Sequence, residues 1–325
     1  MYYTRRYNLS TVPSYPLSHW ERGGVRASLQ LSPLVAAKCV LVLSLVLAST
    51  FAAAGEAPVA GQGFTLWQLP AQGPAQMQSY VLRTAGGKLV VVDGGRREDA
   101  PYLKGFVAAL GNEVEAWFVS HPHTDHLDAL NAILAQADAP LVCVIYASLL
   151  PPELLDDDSR EEAALLQRRA GERGIPLVEP EPGQRLDIDG MRIEILGVKN
   201  PEITVNPVNN SSMVWRVEDA TKSVLFTGDI GEQAGRKLLD GPYRDKLAVL
   251  YVQMAHHGQA GADEAFYQAV RPVYALWPTP LWLWDNDRGQ GKGSGTWKTL
   301  ETRAWIEKLG VKKNYVSYQG LCRID

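Results

Sequence analysis

The chain has 325 residues, 46% hydrophobic and 21% charged, with nine tryptophans, a composition that excludes a disordered chain and suits one large domain or two small ones. The net charge of −4 is uneven. Residues 1–54 carry Arg5, Arg6, Arg22, Arg26 and Lys38 against Glu21, a balance of +4 that leaves −8 for residues 55–325 and gives that body no bulk attraction to a nucleic-acid backbone.

The first element is the apolar run "CVLVLSLVLAST" (39–50), preceded by Arg26 and Lys38 and followed by "FAAAGEA". A positive flank, a short apolar core and small residues at Ala52 and Ala54 read as a secretory signal cleaved near Ala54–Gly55. A membrane span needs about 20 apolar residues. Reaching that length means running back to Pro33 across Lys38, so an anchor over 33–54 is the alternative. The chain is therefore divided into an N-terminal extension and signal (1–54) and one domain (55–325). An exported, periplasmic or secreted destination follows, with membrane contact only through an uncleaved N-terminal segment.

From residue 63 onward, short apolar runs alternate with helical patterns. "FTLWQLP" (64–70), "SYVLRT" (79–84) and "KLVVVDGG" (88–95) predict strands, rich in Val and Leu and bounded by Gly or Pro. A helix over 99–111, a strand over 113–120, a helix over 126–138 and a strand over 141–147 follow. Residues 151–174 open with prolines and acids and end basic before Gly, an order that suits the helix dipole. Strands over 185–198, 212–219 and 223–229, a helix over 232–241 and a strand over 247–255 come next. The C-terminal part gives helices near 262–270 and 297–309, a strand at 273–277, and a Trp- and Gly-rich loop at 278–296. The strands form two groups, each with its own helices, which predicts one α/β domain with two sheets. Cys143 and Cys322 are 179 positions apart with no CxxC pair, so two buried thiols are expected and a single disulfide is the alternative.

Five of the six histidines lie in two short pieces, "SHPHTDH" (120–126) and "AHHG" (255–258). Each directly follows a predicted strand, as do Asp93 in "VVVDGG" and Asp229 in "LFTGD". Strand ends are where a rigid sheet presents functional side chains. "DGG" and "TGD" alone are ordinary turn chemistry, whereas HxHxDH is specific. Histidines two apart at an extended strand end face one side, so His121 and His123 can share a metal. Asp125 and His126 fall at the helix start and can reach a second ion. Imidazole with carboxylate and no nearby thiol suits zinc.

These residues, in this order, resemble the metallo-β-lactamase superfamily of hydrolases: "VVVDGG", "SHPHTDH", "LFTGD", then "MAHHG". The resemblance implies an αββα four-layer sandwich with a two-metal site at one edge of the sheets. It implies that His121 and His123 bind the first metal, Asp125 and His126 the second, and that Asp229 bridges them. His257 matches the final metal-binding histidine, which leaves His256 to face substrate as an acid or electrostatic stabiliser; the reverse assignment of the pair is the alternative. One position departs from the pattern. Where the family supplies another histidine, this chain reads "NPVNNSSMVW", so Asn209 or Asn210 would stand nearest the metal or substrate. An Asn-rich stretch followed by "HHG" resembles the subgroup of competence-type DNA-uptake hydrolase domains and phosphorylcholine esterases. The usual "HHGS" is here "HHGQ", with Gln259.

The expected function is a hydrolase with two divalent metals, zinc or alternatively manganese, acting on a small-molecule or polymer ester. A phosphoester is the leading expectation, with Asp125 and His256 in the chemistry. Lactone or amide hydrolysis, and a non-catalytic metal-retaining binding protein, are the alternatives, and no specific nucleic-acid binding is expected. Trp282 and Trp284, with Asp285, Asp287 and Arg288, are either core and covering loop or an aromatic substrate wall.

Overall fold

The computed structural model describes residues 63–325. The expected signal or anchor over residues 1–54 lies outside them. Among the described residues, no helix is long and apolar enough to cross a membrane.

The first sheet begins with the antiparallel strands β1 (Thr65–Gln68), β2 (Ser79–Arg83) and β3 (Leu89–Asp93). It continues in parallel through β4 (Glu113–Val119), β5 (Leu141–Val142), β6 (Ile145–Ala147) and β7 (Leu177–Val178). The second sheet holds β8 (Arg185–Ile188), β9 (Met191–Gly197), β10 (Val214–Glu218), β11 (Ser223–Phe226), β12 (Tyr251–Gln253), β13 (Tyr274–Trp277) and β14 (Lys313–Val316). A last strand, β15 (Cys322–Ile324), returns to the first sheet and pairs antiparallel with β1.

The period-2 pattern of apolar residues explains why both faces of each sheet are covered. In β3, Val90 and Val92 join the core between the sheets, while Leu89 and Val91 join a second core on the outer face. That outer core is closed by α1 (Ala100–Ala109), α2 (Thr124–Leu134) and α3 (Asp157–Arg173), through residues such as Leu103, Leu130 and Leu166. After the short turn α4 (Pro207–Asn210), helices α5 (Glu232–Asp240) and α6 (Glu264–Val270) cover the second sheet. The short α7 (Leu281–Trp284) and α8 (Thr299–Lys308) complete that layer, where Leu238, Phe266 and Ile306 are buried. The result is the four-layer αββα sandwich. Between the sheets, Trp215 stacks on Phe118 of the first sheet at 4.4 Å and on Phe226 of its own at 4.6 Å.

Several elements differ from expectation for local reasons. The run 141–147 splits into β5 and β6 around Cys143 and Val144. The helix expected from 151 starts at Asp157, because the carboxylate of Asp156 accepts the Ser159 amide and sets the cap there. The strand expected over 247–255 shrinks to three residues. Residues 185–198 form the expected hairpin, with Asp189 (φ 54°) and Gly190 (φ 80°) supplying the left-handed turn. Cys143 and Cys322 are not joined by a disulfide; Cys143 is buried and Cys322 partly exposed.

Trp215→Ala should destabilise the protein by about 3–5 kcal/mol, the usual cost of emptying a buried aromatic position. Denaturant unfolding checks this. A loss below about 1 kcal/mol would mean that the two sheets do not depend on this contact.

Candidate metal centre

The site forms where the carboxyl ends of β3, β4, β11 and β12 meet along one edge of the sandwich. After β4 the backbone stays extended through His123, which is the N-cap of α2 (φ −66°, ψ 149°). His121 and His123 therefore project together, with His121 Nε2 2.9 Å from His123 Nδ1. Asp125 and His126 sit in the first turn of α2. Asp229 follows β11 across Gly228 (φ 54°), where an added Cβ would lie 2.7 Å from the Ser212 side chain. Buried Gln253 fixes that turn, accepting from Thr227 N at 2.7 Å and donating to Gly228 O at 3.0 Å. After β12, His256 (φ 51°), His257 (φ 54°) and Gly258 (φ 78°) are consecutively left-handed. Such a conformation costs an L-residue roughly 1–2 kcal/mol, and here it turns the His257 ring inward.

Four ligand-type side chains converge on His126 and His257. Their Nε2 atoms are 3.3 Å apart. His257 Nε2 lies 3.2 Å from Asp125 Oδ2 and 3.4 Å from Asp229 Oδ2, and His126 Nε2 lies 3.4 Å from Asp229 Oδ1. The other ring nitrogens point away. His126 Nδ1 is 2.8 Å from Asp93 Oδ2, and His257 Nδ1 is 2.8 Å from Pro278 O, so each donates there and leaves Nε2 as the atom offered to a metal. Two imidazole nitrogens and two carboxylates facing one another in a buried space call for positive charge between them, supplied by a metal ion or, without one, by protons on the imidazoles. Among the described residues, two groups can hold a metal ion: His121, His126 and Asp229, and Asp125, His126 and His257.

The electrostatics follow from burial and these contacts. Burial alone would lower the His257 pKa, but the Asp229 charge and the hydrogen bonds to Asp125 and Asp229 push it up to about 9. His126 is likewise raised, its burial outweighed by Asp229 and Asp93. Burial works against ionised Asp125, yet the hydrogen bond from His257 and the nearby imidazoles hold it well below the usual carboxylate range. His121 moves the other way: burial, then His126 and His123, keep it neutral and ready to ligate.

The remaining expected residues are placed as follows. His123 lies outside both groups, with its second nitrogen 3.6 Å from Asp156. His256 stands at the rim, with Nε2 3.9 Å from Asp229 Oδ2 and 3.4 Å from Asn209 Nδ2. The buried Asn209 Oδ1 has no hydrogen-bond partner among the described residues. Asn210 is not available to metal or substrate: its Oδ1 accepts from Gly231 N and Ala234 N at the start of α5, and its Nδ2 donates to Val205 O. Trp284 packs edge-on to Trp277 at 5.2 Å and beneath Arg303 at 4.0 Å, within the outer helical layer rather than on a substrate wall. Trp282 donates to Pro74 O at 2.9 Å and lines a cavity of about 500 Å³ with Pro70, Pro280 and Tyr318. Asp287 is spent on the amides of Gly289, Gln290 and Gly291, which closes its own loop.

Sequence reasoning left Asp93 as turn chemistry and passed over Ser120, Ser212 and Gln76. Asp93 Oδ1 accepts from Ser120 N, and Oδ2 faces Gln78, Ser120 Oγ and His126. The Ser120 and Ser212 hydroxyls lie 3.0 and 3.2 Å from His121 Nδ1, and Ser212 Oγ also accepts the Asp229 amide. Gln76 donates to Asp125 Oδ2 at 2.9 Å and accepts from Gln259 at 3.2 Å. The departure at Gln259 thus ties the β1–β2 loop over the metal edge. The one usable signal for Asp93 was its place at a strand end beside the other motifs.

A family model described as "Metallo-beta-lactamase superfamily" matches residues 73–285, a span that contains both ligand groups. Among solved structures, the chain is similar to the metallo-β-lactamase fold protein YhfI of Bacillus subtilis, at 13% identity and a TM-score of 0.50, covering 81% of this chain and 100% of that one. It is also similar to a mutant of CmlA β-hydroxylase, at 14% identity and TM-score 0.48, covering 90% of this chain and 62% of that one. A diphosphatase of the PhnP family is similar at 8% identity and TM-score 0.43, covering 81% and 98%. At these identities the likeness is one of fold. No curated protein matches.

Asp93→Asn keeps a residue that tolerates φ 53° but replaces one accepting oxygen with a donor. It should lower zinc affinity by about 10–100-fold, as losing an orienting partner does. Competition with a chelator measures this, and an unchanged affinity would remove Asp93 from the site. In the metal-free protein, the pairing of His257 with Asp125 and Asp229 stabilises fully below about pH 6.5. That contribution is lost as pH rises through about 9. Metal must displace this proton and that of His126, whose pKa is also raised, so zinc affinity should rise by at least about tenfold per pH unit from 7 towards 9. A flat profile over that range would show that His257 is not protonated without metal.

Proposed function

Because the chain belongs to the metallo-β-lactamase superfamily, we propose that it is a metal-dependent hydrolase that acts on a phosphoester. The observation that carries the reading is the buried meeting of His126 Nε2, His257 Nε2 and the Asp125 and Asp229 carboxylates, with both Nδ1 atoms already committed elsewhere. His121 and Asp229, joined by His123 whose Nδ1 lies 2.9 Å from His121 Nε2, would hold one divalent ion, and Asp125, His126, His257 and Asp229 a second. The mixed imidazole and carboxylate set fits zinc, with manganese as the alternative. When bound, such ions acidify water towards neutral pH and offset developing negative charge.

The chain's own residues supply the rest. Asp229 is grouped with His121 and His126 and also lies 3.4 Å from His257, so it stands between the two ligand groups and would serve both ions. Asp125 is steadied by Gln76, so its Oδ2 stays aimed at the His257 side. His256 is the imidazole at the rim, its side chain 18% exposed, and is placed to give a proton to the departing oxygen or to stabilise its charge. Asn209, beside it, offers an unspent buried oxygen where a further histidine would complete the more common pattern. The phosphoester preference rests on this Asn-then-HHG arrangement. The metals alone support hydrolysis in general.

The test is metal analysis of the purified protein together with a screen of bis-p-nitrophenyl phosphate, p-nitrophenyl phosphorylcholine and a lactone. Activity on a phosphoester is expected, with a loss of at least about a thousandfold in Asp125→Ala and His126→Ala. Exclusive lactone hydrolysis would overturn the substrate class. Full metal loading with no turnover of any substrate would favour a binding protein. Full rate in either variant would overturn the site.

A further inference from the structure

On the outer face of the second sheet, between the ends of β9 and β10 and helix α5, lies a cavity of about 370 Å³. Its walls include Leu196, Val198, Val214, Ala234, Leu238 and Tyr243. The side chains of Asn200 and Ser212 in the wall are already spent. Asn200 Nδ2 donates to Asn210 O and its Oδ1 accepts from Lys237, while Ser212 Oγ serves Asp229 N and His121. Its lining is mainly apolar, so water placed there would find few partners. Among the described residues, the charged groups in the walls are Lys199 and Lys237, both cationic.

Each lysine is now paired with a glutamate, Lys199 with Glu179 at 2.5 Å and Lys237 with Glu202 at 2.5 Å. Both glutamates are more than half exposed, and exposed pairs of this kind are worth at most about 1 kcal/mol. A ligand carboxylate can replace them at little cost. Lys237 is also held at the cavity by Asn200, which is itself buried.

We propose that this cavity binds a single-chain carboxylate, a fatty acid of medium length. At roughly 30 Å³ per water-sized group, the volume takes about a dozen heavy atoms, the size of decanoate. The chain lies against the apolar walls and the carboxylate meets Lys199 and Lys237. Ser212 separates this space from the metal centre, since its hydroxyl is turned to His121 and Asp229. The ligand is therefore not the substrate, and the inference stands independently of the hydrolase reading.

The test is calorimetric titration of the full protein with decanoate and with decanol, which has the same chain without the charge, both below their aggregation limits. Decanoate should saturate at one per chain, with decanol at least about tenfold weaker. Lys237→Glu should weaken decanoate by about tenfold or more and leave decanol unchanged. Ala234→Phe, which fills the cavity from α5, should abolish both, with folding checked by circular dichroism. The comparison of the two ligands on unaltered protein holds even if that variant fails to fold. No saturable decanoate binding, or equal affinity for both ligands, would overturn the proposal, as would decanoate binding that survives in folded Ala234→Phe.

Discussion

The metal edge depends on one buried carboxylate that belongs to neither ligand group. Asp93 is wholly buried, and a buried charge costs several kcal/mol unless its oxygens are satisfied. Here it gathers Gln78 from just before β2, the amide and hydroxyl of Ser120 at the end of β4, and the His126 ring from α2. Its place at the end of β3, in a left-handed conformation, lets it face all of them. Through it the His126 tautomer is set, and through Ser120 the His121 ring is set in turn. Half of the centre is thus oriented by a residue acting one step away.

The other half is oriented by backbone strain that the fold sustains. His256 and His257 are held left-handed because their neighbours leave no other course. His256 N donates to Gly228 O, Met254 N donates to Leu276 O, and Thr279 Oγ1 donates to the His257 carbonyl at 2.6 Å. At Gly258, a Cβ would lie 2.3 Å from the Trp277 ring, so this position must lack a side chain. Strain of this kind persists where surrounding structure over-determines it. The His257 ring is therefore aimed by the second sheet before any cation arrives.

Much of this was legible in the sequence, and the gaps have physical causes. HxHxDH, TGD and HHG could be read because their spacing is local: two residues on an extended segment, or one turn of helix, determine which side chains share a direction. The two sheets could be read from alternating apolar residues. Asp93 could not be assigned, because "DGG" is also ordinary turn chemistry and its partners are spread from Gln78 to His126. Asn209 and Asn210 are adjacent and chemically identical. Only the register of α4 sends one to His256 and the other to the start of α5. Trp282 and Trp284 differ in the same way, since the short α7 turns them towards different neighbours. β15 was hidden because three residues, Cys322 to Ile324, carry no periodic signal; their pairing is supplied by β1.

That last pairing bears on how the molecule is made. Thr65 and Asp325, hydrogen-bonded across the β1–β15 edge, are 260 positions apart. Until β15 has been synthesised, β1 presents a bare row of amides and carbonyls, the kind of edge that recruits strands from other chains. Contacts of such long sequence separation also form late and slowly. Biogenesis therefore passes through an interval in which the first sheet is assembled but open on one side, and yield depends on how well that edge is shielded from its neighbours.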